Sequence, residues 1–290
     1  MTLVQKNICG WDGYHWENGD ISLGIVPPLG GRIMSLQFCG EEILFVQEEH
    51  RGEVFDLKEL MIDKKEFGFR VWGGDKTWIA PERSWVDKIP PLDLDAGKYE
   101  FAFDKNKVTM TSAVCRETGL RITREIELYE DNKIVLTETI KNETAAPIQR
   151  GIWNVTQILR PFDIFVPSLK KNVRLYEDEA FKDCPIQKYL SEESGWTKIS
   201  CFDNAHFKFG TLMDQGKVRA LRPMRNSILE FIKTFPVDSK ARYAHDSCLE
   251  IYNSPIHNYC EIEVHSPLIM LDPGQSFSQE QQWHLKRFLL

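Results

Sequence analysis

The stretch from Lys98 to Asn142 narrows most severely what this chain can fold into. It contains KYEFAFD, KVTMTSAVC, LRITREIELY and KIVLTETIKN, separated by Lys105-Asn106, Glu117 to Gly119 and Asp131-Asn132. Strand-forming runs joined by short turns predict an antiparallel meander. In LRITREIELY, Leu120, Ile122, Arg124, Ile126 and Leu128 share one face, and Arg121, Thr123, Glu125, Glu127 and Tyr129 share the other. That is the period of a strand with one face buried and the other polar.

The pattern recurs on both sides of the meander. Upstream, DISLGIVP breaks at Pro27 to Gly31, and RIMSLQFCGEEILFV resumes as a hairpin around Gly40. Residues 50–66 are charged and weakly patterned, which predicts a loop with at most one helical turn. Downstream come PIQRGIWNVTQIL, HFKFGTL, GKVRALRP, SILEFIKTF, CLEIYNS, NYCEIEV, PLIMLD and a terminal strand in QSFSQEQQWHLKRFLL. Between them, residues 160–202 carry scattered Pro, Lys and Asp. They predict an excursion outside the main structure, with a short helical piece near residues 177–181. The whole predicts an all-β fold, two large antiparallel sheets packed as a sandwich, in a single domain over residues 1–290.

Composition excludes several function classes. A net charge of -7 and the lack of any basic cluster beyond pairs such as Lys170-Lys171 argue against nucleic acid as a partner. No apolar run is long enough to span a bilayer. The N-terminal MTLVQKNICGWDG lacks the features of a secretory signal, which predicts a cytoplasmic protein. Seven single cysteines, without CxxC spacing or close histidine partners, predict reduced thiols, several of them in the core, and no zinc site.

One stretch breaks the strand pattern in a chemically pointed way. FGFRVWGGDKTWIAPERSW, residues 67–85, combines Phe69, Trp72, Trp78 and Trp85 with Gly73-Gly74 and with Arg70, Asp75, Lys76, Glu82 and Arg83. Indole faces can lie on the C–H faces of a ring-shaped polar ligand while charged groups reach its hydroxyls, and glycines allow close approach. Sugars need both contacts. The competing interpretation is a tryptophan cap on the core with solvated charges around it.

These features resemble, in order and spacing, the galactose mutarotase-like superfamily, the β-sandwich group that contains aldose 1-epimerases and hexose-6-phosphate mutarotases. Within it the chain is most similar to the DUF4380 family. The likeness rests on GGRIMSL, WGGDKTWIAPERSW and the closing array LEIYNS, YCEIEVHSPLIMLDPGQS and QQWHL. In mutarotases of this fold a glutamate takes the anomeric proton and a histidine protonates the ring oxygen. The resemblance implies Glu263 as the base, with Glu261 beside it on the same face and Glu250 in a less fitting register. Cys260 and Ile262 then fall on the opposite, apolar face.

The acid departs from the family pattern. Where the histidine is expected, RGIWNVTQI offers Trp153 and Asn154, neither of which is an acid near neutral pH. His265, which shares the parity of Glu261 and Glu263, is the first candidate, with His257 and His245 behind it. The resemblance further implies Arg32 and Arg70 as holders of hydroxyls or phosphate, and Asp75, Lys76 and Trp78 as lining of the mouth. Trp72 joins them from its composition. Arg32, Arg70, Trp72, Lys76 and Trp78 are therefore expected to converge with Glu263 on one cleft. The implied ligand is a small sugar or sugar phosphate, with no metal or organic cofactor. The expected activity is mutarotation or epimerisation at the anomeric centre. Two alternatives stand beside it, a non-catalytic carbohydrate-binding protein and a scaffold that keeps only the fold.

Overall fold

The computed structural model describes residues 2–56, 58–168, 172–176, 181 and 184–290. In chain order, β1 (Thr2–Ile8), β2 (Trp11–Asn18), β3 (Ile21–Val26), β4 (Arg32–Phe38), β5 (Glu41–Glu42) and β6 (Asp75–Ala80) come first. The predicted meander follows as β7 (Glu100–Asp104), β8 (Lys107–Thr111), β9 (Leu120–Tyr129) and β10 (Lys133–Asn142). Next come β11 (Ile148–Leu159), β12 (Phe162–Val166), β13 (Arg174–Leu175), β14 (Leu190–Glu193), β15 (Trp196–Cys201) and β16 (Phe207–Thr211). The chain ends with β17 (Lys217–Met224), β18 (Ser227–Thr234), β19 (Leu249–Asn253), β20 (Tyr259–His265), β21 (Ile269–Leu271) and β22 (Ser276–Leu289).

Two antiparallel sheets result. The first has 12 strands in the order β1-β2-β3-β4-β6-β11-β20-β19-β16-β13, with β5 on β4 and β21 on β11. The second has 10, in the order β14-β15-β12-β17-β18-β22-β10-β9-β8-β7. Their facing sides supply one large apolar core, to which Ile79, Ile152, Ile158, Ile262 and Val264 come from the first sheet and Ile122, Ile126, Leu136, Phe231 and Trp283 from the second. The alternation read in the sequence is thus the inside and outside of a sandwich.

Two expectations need correction. Residues 50–66 hold more than the one helical turn expected, a 3-10 turn at Glu59–Met61 and most of the turn at Lys64–Phe67. Residues 160–202 are not wholly an excursion, because β12, β14 and β15 form one flank of the second sheet. The runs are short, and Pro161, Pro167 and Pro185 interrupt them, so no single stretch is long enough to display its period. Residues 177–180 of the predicted helical piece lie outside the described residues. The N-terminal hairpin β1-β2 is an addition that alternation did not reveal: β1 is an edge strand with mostly exposed side chains, so neither face needs to be apolar. Among the described residues the α-helical pieces, Lys64–Phe67 and Leu92–Asp95, are four residues each. All seven cysteines are free, and Cys115, Cys201, Cys248 and Cys260 are buried.

A charged network crosses the core. Asp75 and Thr77 of β6 and Asn154 and Thr156 of β11 point inward and meet Arg124 of β9, Glu138 of β10 and Lys233 of β18. The Thr156 hydroxyl and Asn154 Nδ2 donate to Asp75 Oδ2 at 2.6 and 3.0 Å. Lys233 Nζ donates to Asn154 Oδ1 and Thr156 Oγ1, both at 2.7 Å. Arg124 pairs with Asp75 and lies 3.8 Å from Glu138. Such groups persist in a core only when each is paired.

Candidate functional site

The opposite face of the first sheet gathers the chemistry. Alternation along β6 turns Lys76 and Trp78 outward; along β11, Trp153, Val155 and Gln157; along β20, Glu261, Glu263 and His265. Register brings them side by side: Val155 pairs with Lys76 on one side and Glu263 on the other. Glu263 faces Glu250 of β19 in turn, and β16 adds Lys208. Glycine is required at residue 73, where φ is +105° and a Cβ would collide with the Phe45 carbonyl. The close approach lets Gly74 N–H donate to that carbonyl at 2.7 Å, which sets the start of β6.

Glu263 is the central group. It is 1% exposed, and its Oε2 accepts from Trp153 Nε1 and Lys208 Nζ, each at 2.9 Å. Its Oε1 is buried and has no hydrogen-bond partner among the described residues. Burial pushes its carboxyl well above the usual carboxylate range; Lys208 pulls it back, and Glu250 and Glu261 push it up again. Glu250 goes the other way. Burial raises it too, but Lys208 at 2.9 Å, His265 at 3.2 Å and the hydrogen bond with His245 outweigh that and hold it well below. Lys208, between the two carboxylates, is raised well above an ordinary lysine even though burial opposes the charge.

Aromatic rings wall the site. Trp153 stacks on Trp85 at 5.4 Å and on His265 at 4.9 Å, and Trp78 meets Trp153 edge-on at 5.1 Å. Lys76 is 5% exposed and carries its ammonium 4.6 Å from the Trp78 ring centre. Glu261, 9% exposed, accepts from Gln157 Nε2 at 2.8 Å.

The predicted residues divide accordingly. Lys76, Trp78, Glu261, Glu263 and His265 share this face. Asp75 does not: it points between the sheets, into the network with Arg124. Arg32 is buried and committed to Asp95, with Nη2 at 2.5 Å from Oδ1, and the same carboxylate accepts from Trp78 Nε1 at 2.7 Å. Arg70 pairs with Glu53 at 2.8 Å and lies over Phe67. Trp72 packs in a second apolar cluster with Phe67, Met34 and Trp11. The expected convergence therefore fails for Arg70, which turns to Glu53, and for Trp72, which turns to the second apolar cluster. Lys208, Trp153, Gln157 and Tyr176 were not among the expected site residues. Lys208 was detectable, since Phe207 and Phe209 on either side of it alternate inward.

The histidines are held in place. Burial lowers the His265 pKa, and the ring is pressed between Trp153 and Glu250. His245 bonds to Glu250 at 3.0 Å, and His257 lies near Phe45 and Tyr259 instead. Ligand atoms of His245, Glu250 and His265 fall within 4.8 Å of one another, close enough to surround a metal ion. The surroundings do not fit one. Glu250 Oε1 accepts from Tyr176 and His245, and Oε2 faces Lys208 and His265, so an ammonium already supplies the positive charge. A separate cleft of about 910 Å³, lined by Trp11, Val54, Phe55 and Val114, lies apart from these residues.

The architecture, two large antiparallel sheets packed face to face, is that of the galactose mutarotase-like sandwich. A protein from Synechocystis sp. PCC 6803, Slr1438, superposes with a TM-score of 0.63 at 13% identity over 99% of both chains. A galactose mutarotase-like protein from Lactobacillus casei ATCC 334 gives 0.62 at 11% identity, over 98% of this chain and 100% of the other. One from Clostridium acetobutylicum gives 0.57 at 13%, over 100% and 99%. These identities establish the fold alone. A search of the curated proteins found no match. The sequence profile described as "Domain of unknown function (DUF4380)" matches residues 14–286, and the chain belongs to that family. No helix among the described residues is long and apolar enough to cross a membrane.

Proposed function

We propose that this protein binds an unphosphorylated sugar on the outer face of the first sheet and interconverts its anomers, with Glu263 as the base. One observation carries the reading: Glu263 Oε1 is buried and unbonded while Oε2 is fixed by Trp153 and Lys208. One oxygen orients the carboxylate and the other is left for a ligand hydroxyl. Its raised pKa makes the carboxylate a stronger base than an ordinary glutamate. The flanking indoles suit the apolar faces of a sugar ring. Arginine grips a phosphate best through two parallel hydrogen bonds, and Arg32 and Arg70 are spent on Asp95 and Glu53. A neutral ligand fits better.

In the reaction Glu263 removes the proton of the anomeric hydroxyl, C1–O1 becomes a carbonyl, and the C1–O5 bond opens as O5 takes up a proton from a donor in the site. Rotation and closure on the other face invert the centre. The alternative is a binding protein without turnover. Anomer exchange followed by NMR on D-glucose, D-galactose and glucose 6-phosphate, with calorimetric binding alongside, separates the two. Exchange faster than buffer, falling roughly a hundredfold in Glu263→Gln with binding retained, is the expected result. Binding without accelerated exchange supports the non-catalytic alternative.

A further inference from the structure

We propose that Lys76 is the general acid of this site, giving its proton to the ring oxygen while Glu263 takes one from the anomeric hydroxyl. The inference rests on the anomer-exchange reading above and supplies the donor that the missing histidine leaves open. Lys76 and Glu263 lie on the same face of the sheet, one on each side of Val155. Two strand spacings put their Cα atoms about 10 Å apart. The two side chains leave the same face on opposite sides of Val155, and Glu263 is among the charges that act on Lys76, an arrangement that suits an acid and a base on one C–O bond.

The state of the ammonium fits the role. Lys208 is clamped between two carboxylates at 2.9 Å and holds its proton too firmly to give it up. Lys76 has no carboxylate at ion-pair distance among the described residues, and its ammonium rests on Trp78. Burial brings its pKa down to about 8, with Glu261 raising it and Arg32 lowering it, and Asp95 and Glu263 raising it further. A donor in that range is protonated at neutral pH and still gives up its proton readily. Lys233 is also near 8, but it is hydrogen-bonded between the sheets and faces away. Geometry, not acidity, separates the two. Among the other donors, burial and nearby Glu261 make Tyr252 a weaker acid than usual, and burial lowers the His265 pKa against the pull of Glu250.

The step balances. Glu263 takes the O1 proton, the electrons form C1=O1, C1–O5 breaks, and O5 takes the Lys76 proton. The site then holds an open-chain aldehyde, a carboxylic acid and a neutral amine. Closure reverses each transfer.

The test is anomer exchange of D-glucose and D-galactose by wild type, Lys76→Arg and Lys76→Met as a function of pH, with binding by calorimetry and folding by circular dichroism. Arginine keeps the positive charge but not the transferable proton. If Lys76 served only as a cation, Lys76→Arg would restore the rate. As a proton donor, both variants should lose roughly a hundredfold in kcat with KM changed only a few-fold. Wild-type kcat/KM should fall above about pH 8, and Lys76→Arg should lack that limb. Wild-type exchange with no alkaline limb overturns the role, and this readout holds even where a variant fails to fold. So does an active Lys76→Arg, which leaves the mutarotase reading standing. A wild type that binds these sugars without accelerating exchange removes both.

Discussion

Glu250 and Glu263 sit opposite each other on paired strands and share one ammonium, yet their surroundings send them in opposite directions. Glu250 is surrounded by donors and stays charged, while Glu263 keeps one unbonded oxygen in a buried setting. Two carboxylates with separated pKa values are how one pocket runs acid–base chemistry near neutrality. Lys208 sets the balance. Lys208→Met removes a group that lowers Glu263, so the Glu263 pKa should rise further. Activity that needs its carboxylate should then fade at a higher pH than in wild type, seen as an acid limb of kcat/KM moved upward. Much at this scale was legible in the sequence. The parity that places Glu261, Glu263 and His265 together, with Cys260 and Ile262 behind them, follows from alternation alone. Asp75 and Lys76 show where that method stops. Adjacent residues on a strand face opposite ways, both are charged, and nothing in the local pattern says which one turns inward. The partners that decide it, Arg124 and Glu138, belong to the other sheet.

At the scale of elements, β11 and β20 do most to build the site. They are central strands, hydrogen-bonded on both sides, and β11 carries both Trp153 outward and Asn154 inward. Their amides should exchange slowly with deuterium, near the global unfolding limit, whereas those of the edge strand β1 should exchange orders of magnitude faster by local opening. Mass-spectrometric exchange on the intact protein measures this; equal protection of β1 and β11 would contradict the description of β1 as an edge. Long alternating strands such as β9, β10 and β22 were visible in the sequence because many residues repeat the period. Short strands such as β14 and β15 were not, since 4 and 6 residues are too few.

For the whole molecule, the inter-sheet network is the least replaceable feature. Arg124 is fully buried between Asp75 and Glu138, and Arg124→Met should cost about 3–5 kcal/mol by leaving buried carboxylates unpaired, measured as a fall in the urea midpoint. That network sits directly behind the outer face that carries Glu263, because β6 and β11 contribute to both. Each step along these strands therefore switches between two kinds of constraint, one set by the core between the sheets and one by the site on the outer face. Under the proposed function, residues 78, 153, 157 and 261 can adapt to a new sugar while residues 76 and 263 keep the chemistry and residues 75, 77, 154, 156, 260 and 262 stay fixed. A lineage built on this scaffold can change its diet without relearning how to fold.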